Sequence, residues 1–406
     1  MNLSPARLIE LRSAYRDGLL NDTFPFWLRH GPDRDHGGLF GALDRDGSVI
    51  DTDKAVWIQG RAAWTFANAC HSIEKRDEWL AVSRSCLEFI REHCHGPDGK
   101  LYFTVTREGR PLRMRRYVFS ESFAAIGSAA YARASGDARA AEDAVRFFAT
   151  YLRHSFTPGV MPPKTDPDVR PMQGAGTLFI TIATAQEVRA ALGDITVGGA
   201  TCTQWIDRSI ATVERDFYHP ELRAMMETVG PEGAIIDHFD GRTLNPGHAL
   251  ECAWFILHEA KLRNRDPRLL KLGLGILDCM WDRGWDREFG GILYFTDLKG
   301  LPVQEYWAEM KFWWPHNEAV IATLLAWQLT GDPKYAEWHG LVHDWAHRIF
   351  PDRQHGEWFG QARRDGRIAT HLKGSMWKGP FHLPRMQHYC WNLTEELLRD
   401  SATPNR

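Results

Sequence analysis

One motif recurs along this chain at nearly constant spacing, and that recurrence limits the possible folds more than any other feature. Asp33 opens DRDHGGLFGALDRDG, Gly96 opens GPDGKLYFTVTREG and His219 opens HPELRAMMETVGPEG. Asp286 opens DREFGGILYFTDLKG, Asp352 opens DRQHGEWFGQARRDG, and a degenerate copy, TPGVMPPKTDPD, begins at Thr157. Successive starts lie 63, 61, 62, 67 and 66 residues apart. Each clear copy has a turn, a short alternating apolar segment and a second turn ending in Gly, the pattern of a β-hairpin or extended loop. Between copies the periodicity is helical and the stretches are long enough for two helices each. One helix before the first copy and one after the last bring the expected count to twelve, in six pairs. Helical hairpins that close in a ring bury their inner faces without end caps. The expected fold is therefore all-α: a single (α/α)6 barrel over residues 1–400 with short hairpin loops at one mouth, then a flexible tail at 401–406.

Composition removes several function classes. With 49 basic and 52 acidic side chains among 406 residues, the formal charge is -3, which lacks the basic excess of a nucleic-acid grip. No apolar run approaches the roughly 20 residues that span a bilayer. The opening MNLSPARLIELRSAYRDGLL carries charge throughout and does not read as a signal peptide, so a cytoplasmic protein is expected. Its seven cysteines are scattered without a CxxC pair, which suits buried thiols in a reducing compartment.

The hairpins also set a direction. Helix-start signals follow five of them, at Asp53, Ser120, Asn245-Pro246, Pro315 and Pro384. If those helices line the inside, their N-termini share one mouth with the hairpins, and the chemistry gathers there. Three segments near these starts each place a histidine within two positions of a proline: NPGHALE (His248), WWPHNE (His316) and FHLPR (His382). The partial positive charge of a helix N-terminus disfavours imidazolium and keeps a histidine able to accept a proton. A nearby carboxylate pulls the other way and fixes the ring tautomer. Glu251, one turn after His248, and Glu318, in the first turn of its own helix, are the expected partners.

Trp57, Arg61, Trp64 and Asn68 fall on one helical face, a mixture of indoles and polar groups that suits the wall of a wet hollow. There Arg61 is placed to hold a developing oxyanion. With 17 tryptophans the chain has flat apolar faces to offer a pyranose ring, and Trp57, Trp313 and Trp314 are the expected sugar-facing walls. His339, His343 and His347 have the spacing for shared metal ligation, but no HExxH or third carboxylate accompanies them, and no metal site is expected.

With these motifs in view, the chain resembles the N-acylglucosamine 2-epimerases, also described as renin-binding proteins, over nearly its whole length. The matching stretches are DHGGLF (35–40), KAVWIQGR (54–61), FSESF (119–123), NPGHALECAWF (245–255), KFWWPHNEA (311–319), GEWFG (356–360) and KGPFHLPR (378–385). The resemblance implies an (α/α)6 barrel that interconverts N-acyl-D-glucosamine and N-acyl-D-mannosamine in a homodimer. It places the two acid/base histidines at His248 and His382, the essential arginine at Arg61 and the glutamate after WWPH at Glu318. His316 and Arg385, in the same motifs, join the expected sugar contacts. ATP stimulates several family members, yet Gln173-Gly174-Ala175-Gly176-Thr177 has neither the full glycine pattern nor a Walker lysine to hold it. One departure stands out: where the family carries an asparagine on the inner wall, this chain offers Ala183 or Thr184.

The expected chemistry needs no redox cofactor. Once the sugar ring opens, the C2 proton is α to an aldehyde, and two histidines on opposite sides exchange protons on opposite faces of that carbon. The altered wall keeps a mannose/glucose 2-epimerase or an aldose-ketose isomerase in view as the alternative. A glycoside hydrolase would need two facing carboxylates that the mouth motifs do not offer, and a pure binding protein would have no use for both histidines.

Overall fold

Long helices alternate between an outer and an inner ring in the computed structural model, which describes residues 3–402. The outer ring comprises α1 (Pro5–Gly18, continued through a π-turn at Leu19–Thr23 into Phe24–His30), α3 (Asp77–His93), α5 (Ala138–Phe156), α7 (Cys202–Thr212), α9 (Pro267–Gly284) and α11 (Pro333–Ile349). The inner ring comprises α2 (Val56–Ser72), α4 (Phe119–Ser135), α6 (Gly176–Leu192), α8 (Pro246–Leu262), α10 (Trp313–Thr330) and α12 (His382–Ala402). Each inner helix packs on the next, and α12 packs on α2, closing the ring. The barrel expected from the repeat is thus the observed fold, with the post-hairpin helices inside. The last helix runs two residues into the expected tail, whose remainder, 403–406, lies outside the described residues.

The two rings differ in how their sequences make helix. Outer helices are amphipathic: α5 turns Phe147, Phe148 and Tyr151 inward and leaves its other face to water. Five of them carry a side-chain N-cap, from Ser4, Asp137, Thr201, Asp266 and Asp332. Inner helices are buried nearly all round, and α2 and α4 approach so closely that a Cβ on Gly60 would lie 2.5 Å from the carbonyl carbon of Phe123. Of the expected inner-helix start signals only Asn245 caps by side chain, accepting from His248 N at 3.1 Å. Ser120 instead donates to the Tyr102 carbonyl, and Asp53 precedes the lead-in strand of α2 without capping it.

Neighbouring repeats supply acceptors to two of the remaining inner N-termini. Val56 N donates to Phe103 O (2.9 Å) and Trp313 N to Gly360 O (3.1 Å), carbonyls that belong to the following hairpin. The two-residue strands that lead into inner helices pair in the same sense: Lys54–Ala55 with Thr104–Val105, Gln173–Gly174 with Thr228–Val229, Thr243–Leu244 with Thr296–Asp297, and Lys311–Phe312 with Gln361–Ala362. Leu43 and Gly374 exchange both backbone bonds, joining the last repeat to the first. The expected hairpins are therefore only half internal; much of their pairing is with the neighbouring repeat. The degenerate copy at 157–172 forms no strand and leaves one joint of the rim unpaired.

A buried ion triad repeats this hand-off in three places. Lys54 Nζ reaches Asp33 at 2.9 Å, and Arg107 from the next hairpin binds both oxygens of that carboxylate at 2.9 Å. Lys311 and Arg364 do the same to Asp286, and Lys373 and Arg45 to Asp352. Burial pushes these carboxyls up, but the arginine and lysine hydrogen bonds outweigh it and hold all three well below the usual carboxylate range. Burial also brings the Lys311 and Lys373 ammonium groups down to about 8, against the pull of their aspartates.

Replacing Asp286 by Ala strands the Lys311 ammonium and should cost about 3–5 kcal/mol of unfolding free energy at neutral pH, read by urea titration. A depressed folded-state pKa stabilises above the unfolded value of about 3.9 and loses that stabilisation as the pH falls through the folded one. The gap between wild type and Asp286→Ala should therefore close as the pH drops below about 4. A gap that persists in acid would contradict the assignment.

Candidate active site

The inner ring encloses a cavity of about 2040 Å³ that opens among the hairpins. Trp57, Arg61, Trp64 and Asn68, the face singled out on α2, all line it. So do His248, Glu251, Trp313, Trp314, His382 and Arg385. The Trp314 indole lies between the two histidines, with ring centroids 5.1 Å from His248 and 5.6 Å from His382. Two imidazoles thus face one chamber from different helices, α8 and α12.

Each histidine rests on a carboxylate. His382 Nδ1 donates to Glu318 Oε1 at 2.6 Å, and His248 Nδ1 donates to Glu227 at 3.0 and 3.1 Å. An acceptor at Nδ1 fixes the proton there and leaves Nε2 as the nitrogen free to exchange one. Glu318 is wholly buried and fully engaged, since it also accepts from the Trp254 indole (2.7 Å) and from Arg385 Nη2 (2.7 Å). Arg385 Nη2 also reaches Glu251 Oε1 at 2.5 Å and lies 3.3 Å from His382 Nδ1. Glu251, Glu318 and His382 bring ligand atoms within 4.8 Å of one another, close enough for a metal, but the guanidinium already supplies the positive charge at their centre.

The environments drive the two imidazoles apart. Burial, with Arg61 and Arg385 close by, holds His382 well below the usual histidine value, so it rests neutral. Burial also works against the charged form of His248, yet the Glu227 carboxylate outweighs it and raises the pKa. At His248 the Glu227 carboxylate therefore pulls toward the charged form, against the expected effect of the helix N-terminus. Such a divergence suits one group to accept a proton and the other to deliver one.

Arg61, unlike Arg385, makes no ion pair among the described residues. Its guanidinium packs on Phe123 (4.1 Å), Phe381 (5.0 Å) and Trp57 (5.2 Å) and donates to the Trp377 carbonyl at 3.2 Å. Burial lowers its pKa to about 9, so it stays charged at neutral pH. Among the described residues its buried Nε has no hydrogen-bond partner. An uncompensated cation held by aromatic faces is well suited to meet negative charge arriving from a ligand.

The sequence pattern of the N-acylglucosamine 2-epimerase (GlcNAc 2-epimerase) family matches residues 38–382. The chain belongs to that family. The N-acylglucosamine 2-epimerase of Mus musculus is 33% identical over 398 residues, covering 94% of this chain and 91% of its own. That of Homo sapiens is 33% identical over 390 residues, covering 93% and 88%. The solved cellobiose 2-epimerase of Spirochaeta thermophila superimposes with a TM-score of 0.82 at 21% identity, covering 98% of this chain and 99% of its own, and shares the barrel.

Two site expectations need correction within this family frame. His316 does not face the cavity: it is fully buried, donates from Nδ1 to Phe312 O (2.6 Å), accepts from Ile292 N (2.9 Å) and stacks on Trp345. Burial drops its pKa to about 3, and it braces a hairpin instead of contacting sugar. Glu251 holds Arg385, not His248. The partner is Glu227, on the hairpin that leads into α8 and 21 positions before His248, a spacing that no helical period connects. The available signal was a lone carboxylate in the apolar run AMMETV, one residue before the strand at Thr228. The His339, His343 and His347 set lies within the wall, where the Tyr15 hydroxyl bridges His339 and His343 at 3.0 and 2.9 Å.

Substituting Glu227 by Gln removes the charge that raises His248 and leaves the imidazole in place. The deprotonation of His248, followed by NMR or as the alkaline limb of the activity profile, should move to lower pH. An unmoved limb would mean that Glu227 does not tune this histidine.

Proposed function

We propose that this protein interconverts N-acyl-D-glucosamine and N-acyl-D-mannosamine by moving a proton at C2 of the open-chain sugar. The observation that carries the reading is the pair of carboxylate-backed histidines, unlike in pKa, on either side of Trp314. In the resting pair His382 is the neutral base and His248 the proton donor. His382 Nε2 takes the C2 proton from one face; the electrons left on carbon shift toward O1 as an enolate, and Arg61 meets that charge. His248 Nε2 returns a proton to the opposite face, and the reverse reaction uses the other tautomer of the same singly protonated pair. A proton leaves and a proton returns, so the balance contains no step for a redox cofactor or a nucleotide. Arg385 orients Glu318 and through it His382.

Recognition of the N-acyl group falls in this reading to the wall that carries Ala183 and Thr184, beside Ile126, Phe179 and Ile180. Side chains smaller than an asparagine leave room there for the acyl methyl among apolar neighbours. Curated relatives with N-acylglucosamine 2-epimerase activity in their names support the amino sugar over plain mannose or glucose. The same reading includes a homodimer in the cytoplasm; seven buried, unpaired thiols support the reducing compartment. Among the described residues no helix is long and apolar enough to cross a membrane.

Incubation of N-acetylmannosamine with the protein in deuterium oxide, followed by NMR, should give N-acetylglucosamine labelled at C2. His248→Ala and His382→Ala should each lower kcat by about 10²–10⁴ without loss of fold. A ketose product, or faster turnover of free mannose than of N-acetylmannosamine, would overturn the substrate assignment. The pH profile should be bell-shaped, with an acid limb well below the ordinary histidine value, where His382 protonates, and an alkaline limb above it, where His248 loses its proton.

A further inference from the structure

The cavity does not end at the histidines. Along α8 its lining runs from His248, in the first turn, to Leu262, a distance of about 21 Å at 1.5 Å per residue. Leu262 is 57% exposed at the far end of the barrel. The upper and lower parts of this space have different chemistry. Near the mouth the walls are aromatic: Trp57 packs edge-on against Trp377 at 5.5 Å, and Tyr117 stacks on Phe119 at 4.7 Å. Deeper down, the lining carries Asn68, Arg133, Glu187 and Asn392.

Glu187, in the last turns of α6, is the unusual member. Its Oε2 accepts the Trp64 indole N–H at 2.7 Å, and among the described residues no cation lies within ion-pair distance of it. Burial raises its pKa, with Arg133 and Arg385 too far off to clamp it. Glu187 is half-buried and lines the cavity, so its second oxygen, which has no protein partner among the described residues, is open to whatever occupies that space. Trp64 in turn packs on Phe381 at 5.3 Å, the residue before His382, so the Glu187 layer lies directly beneath the acid/base layer. Arg133, lacking a carboxylate, is held by Asn68 Oδ1 at 2.6 Å.

We propose that this lower chamber is the subsite for the polyol tail of the open-chain sugar, with Glu187 Oε1 accepting hydrogen bonds from the hydroxyls beyond C3. The inference rests on the epimerase reading above, which fixes C1 to C3 at the histidines. A closed pyranose offers flat apolar faces to the aromatic mouth. A linear chain offers none; it carries hydroxyls that need acceptors, and Asn68, Glu187 and Asn392 offer them in the lower part of the cavity. The mouth thus receives the ring form and the depth of the barrel holds the linear form. Glu187 acts as a specificity-determining contact that favours the open chain.

The test uses binding alone, so that it stands apart from whether the protein turns over any sugar. The probes are N-acetylmannosaminitol, which is permanently linear, and its analogue shortened after C3, both titrated by ligand-observed NMR against the full-length protein. Glu187→Gln keeps the side-chain shape and an acceptor for Trp64; Glu187→Ala removes both. Each should weaken the long alditol about tenfold, the scale of a lost charge-assisted hydrogen bond. Each should leave the shortened one within about twofold, the scatter expected for a contact that is absent. Equal losses on both probes would show a merely structural carboxyl, and no loss on the long probe would remove Glu187 from recognition; either result overturns the proposal. Absence of epimerisation by the wild type in the deuterium experiment would instead sink the reading on which it rests.

Discussion

The barrel depends on a hand-off at its rim: backbone carbonyls and an arginine from one repeat complete the helix start and the buried ion pair of the repeat before it. A helix N-terminus pointing into a protein interior leaves up to four donors to satisfy. Outer helices meet that need locally with Ser, Thr and Asp caps. Inner helices cannot do so everywhere, because their first turns must present functional side chains to the cavity. Val56 and Trp313 therefore take their acceptors from Phe103 and Gly360 in the next hairpin. The cost is that these repeats are not complete alone; the gain is that the lead-in of every inner helix but α4 is tied to a neighbouring repeat. His248 is served within its own repeat: Glu227 rides on the hairpin that leads into α8, and the pairing of Thr228–Val229 with Gln173–Gly174 ties that hairpin to the repeat before it.

This arrangement explains what could be read from the letters and what could not. The sixfold spacing gave the ring, because the period of a repeat survives any detail of pairing. The amphipathic mixture Trp57, Arg61, Trp64 and Asn68 gave the cavity wall, because one helical face carries its own periodicity. His382 and Glu318 were named for their helix starts, and the structure joins them at 2.6 Å. Glu227 was invisible, because its role depends on which strand pairs with which, a fact set by ring closure. His316 was misplaced for a related reason. Its motif neighbours Trp313 and Trp314 face inward, but a further advance along the helix turns the imidazole back toward Trp345 and the hairpin.

Charge in the site follows one design. Three carboxylates, Glu227, Glu251 and Glu318, are balanced by two arginines of different kinds. Arg385 is consumed by its partners and acts as a fixed strut, while Arg61 is held by aromatic faces and keeps its positive field for whatever enters. In a chamber shielded from bulk water such preset charges act strongly and need not reorganise. The unequal pKa values of the two imidazoles follow from this asymmetry: His382 lies near both arginines, and His248 has a carboxylate to itself.

The first helix has a consequence beyond the folded state. Tyr15 of α1 locks onto His339 and His343 of α11, more than 320 positions away, and α1 packs against α12. During synthesis, at roughly 5–20 residues per second, the opening segment leaves the ribosome long before the two elements that cover it exist. Its buried Tyr15, Leu19 and Trp27 must wait, exposed or in temporary shelter, until α11 and α12 have emerged. α1, made before the other eleven helices described above, is thus among the last of them to reach its final contacts, and this delay is where a chaperone would find its client.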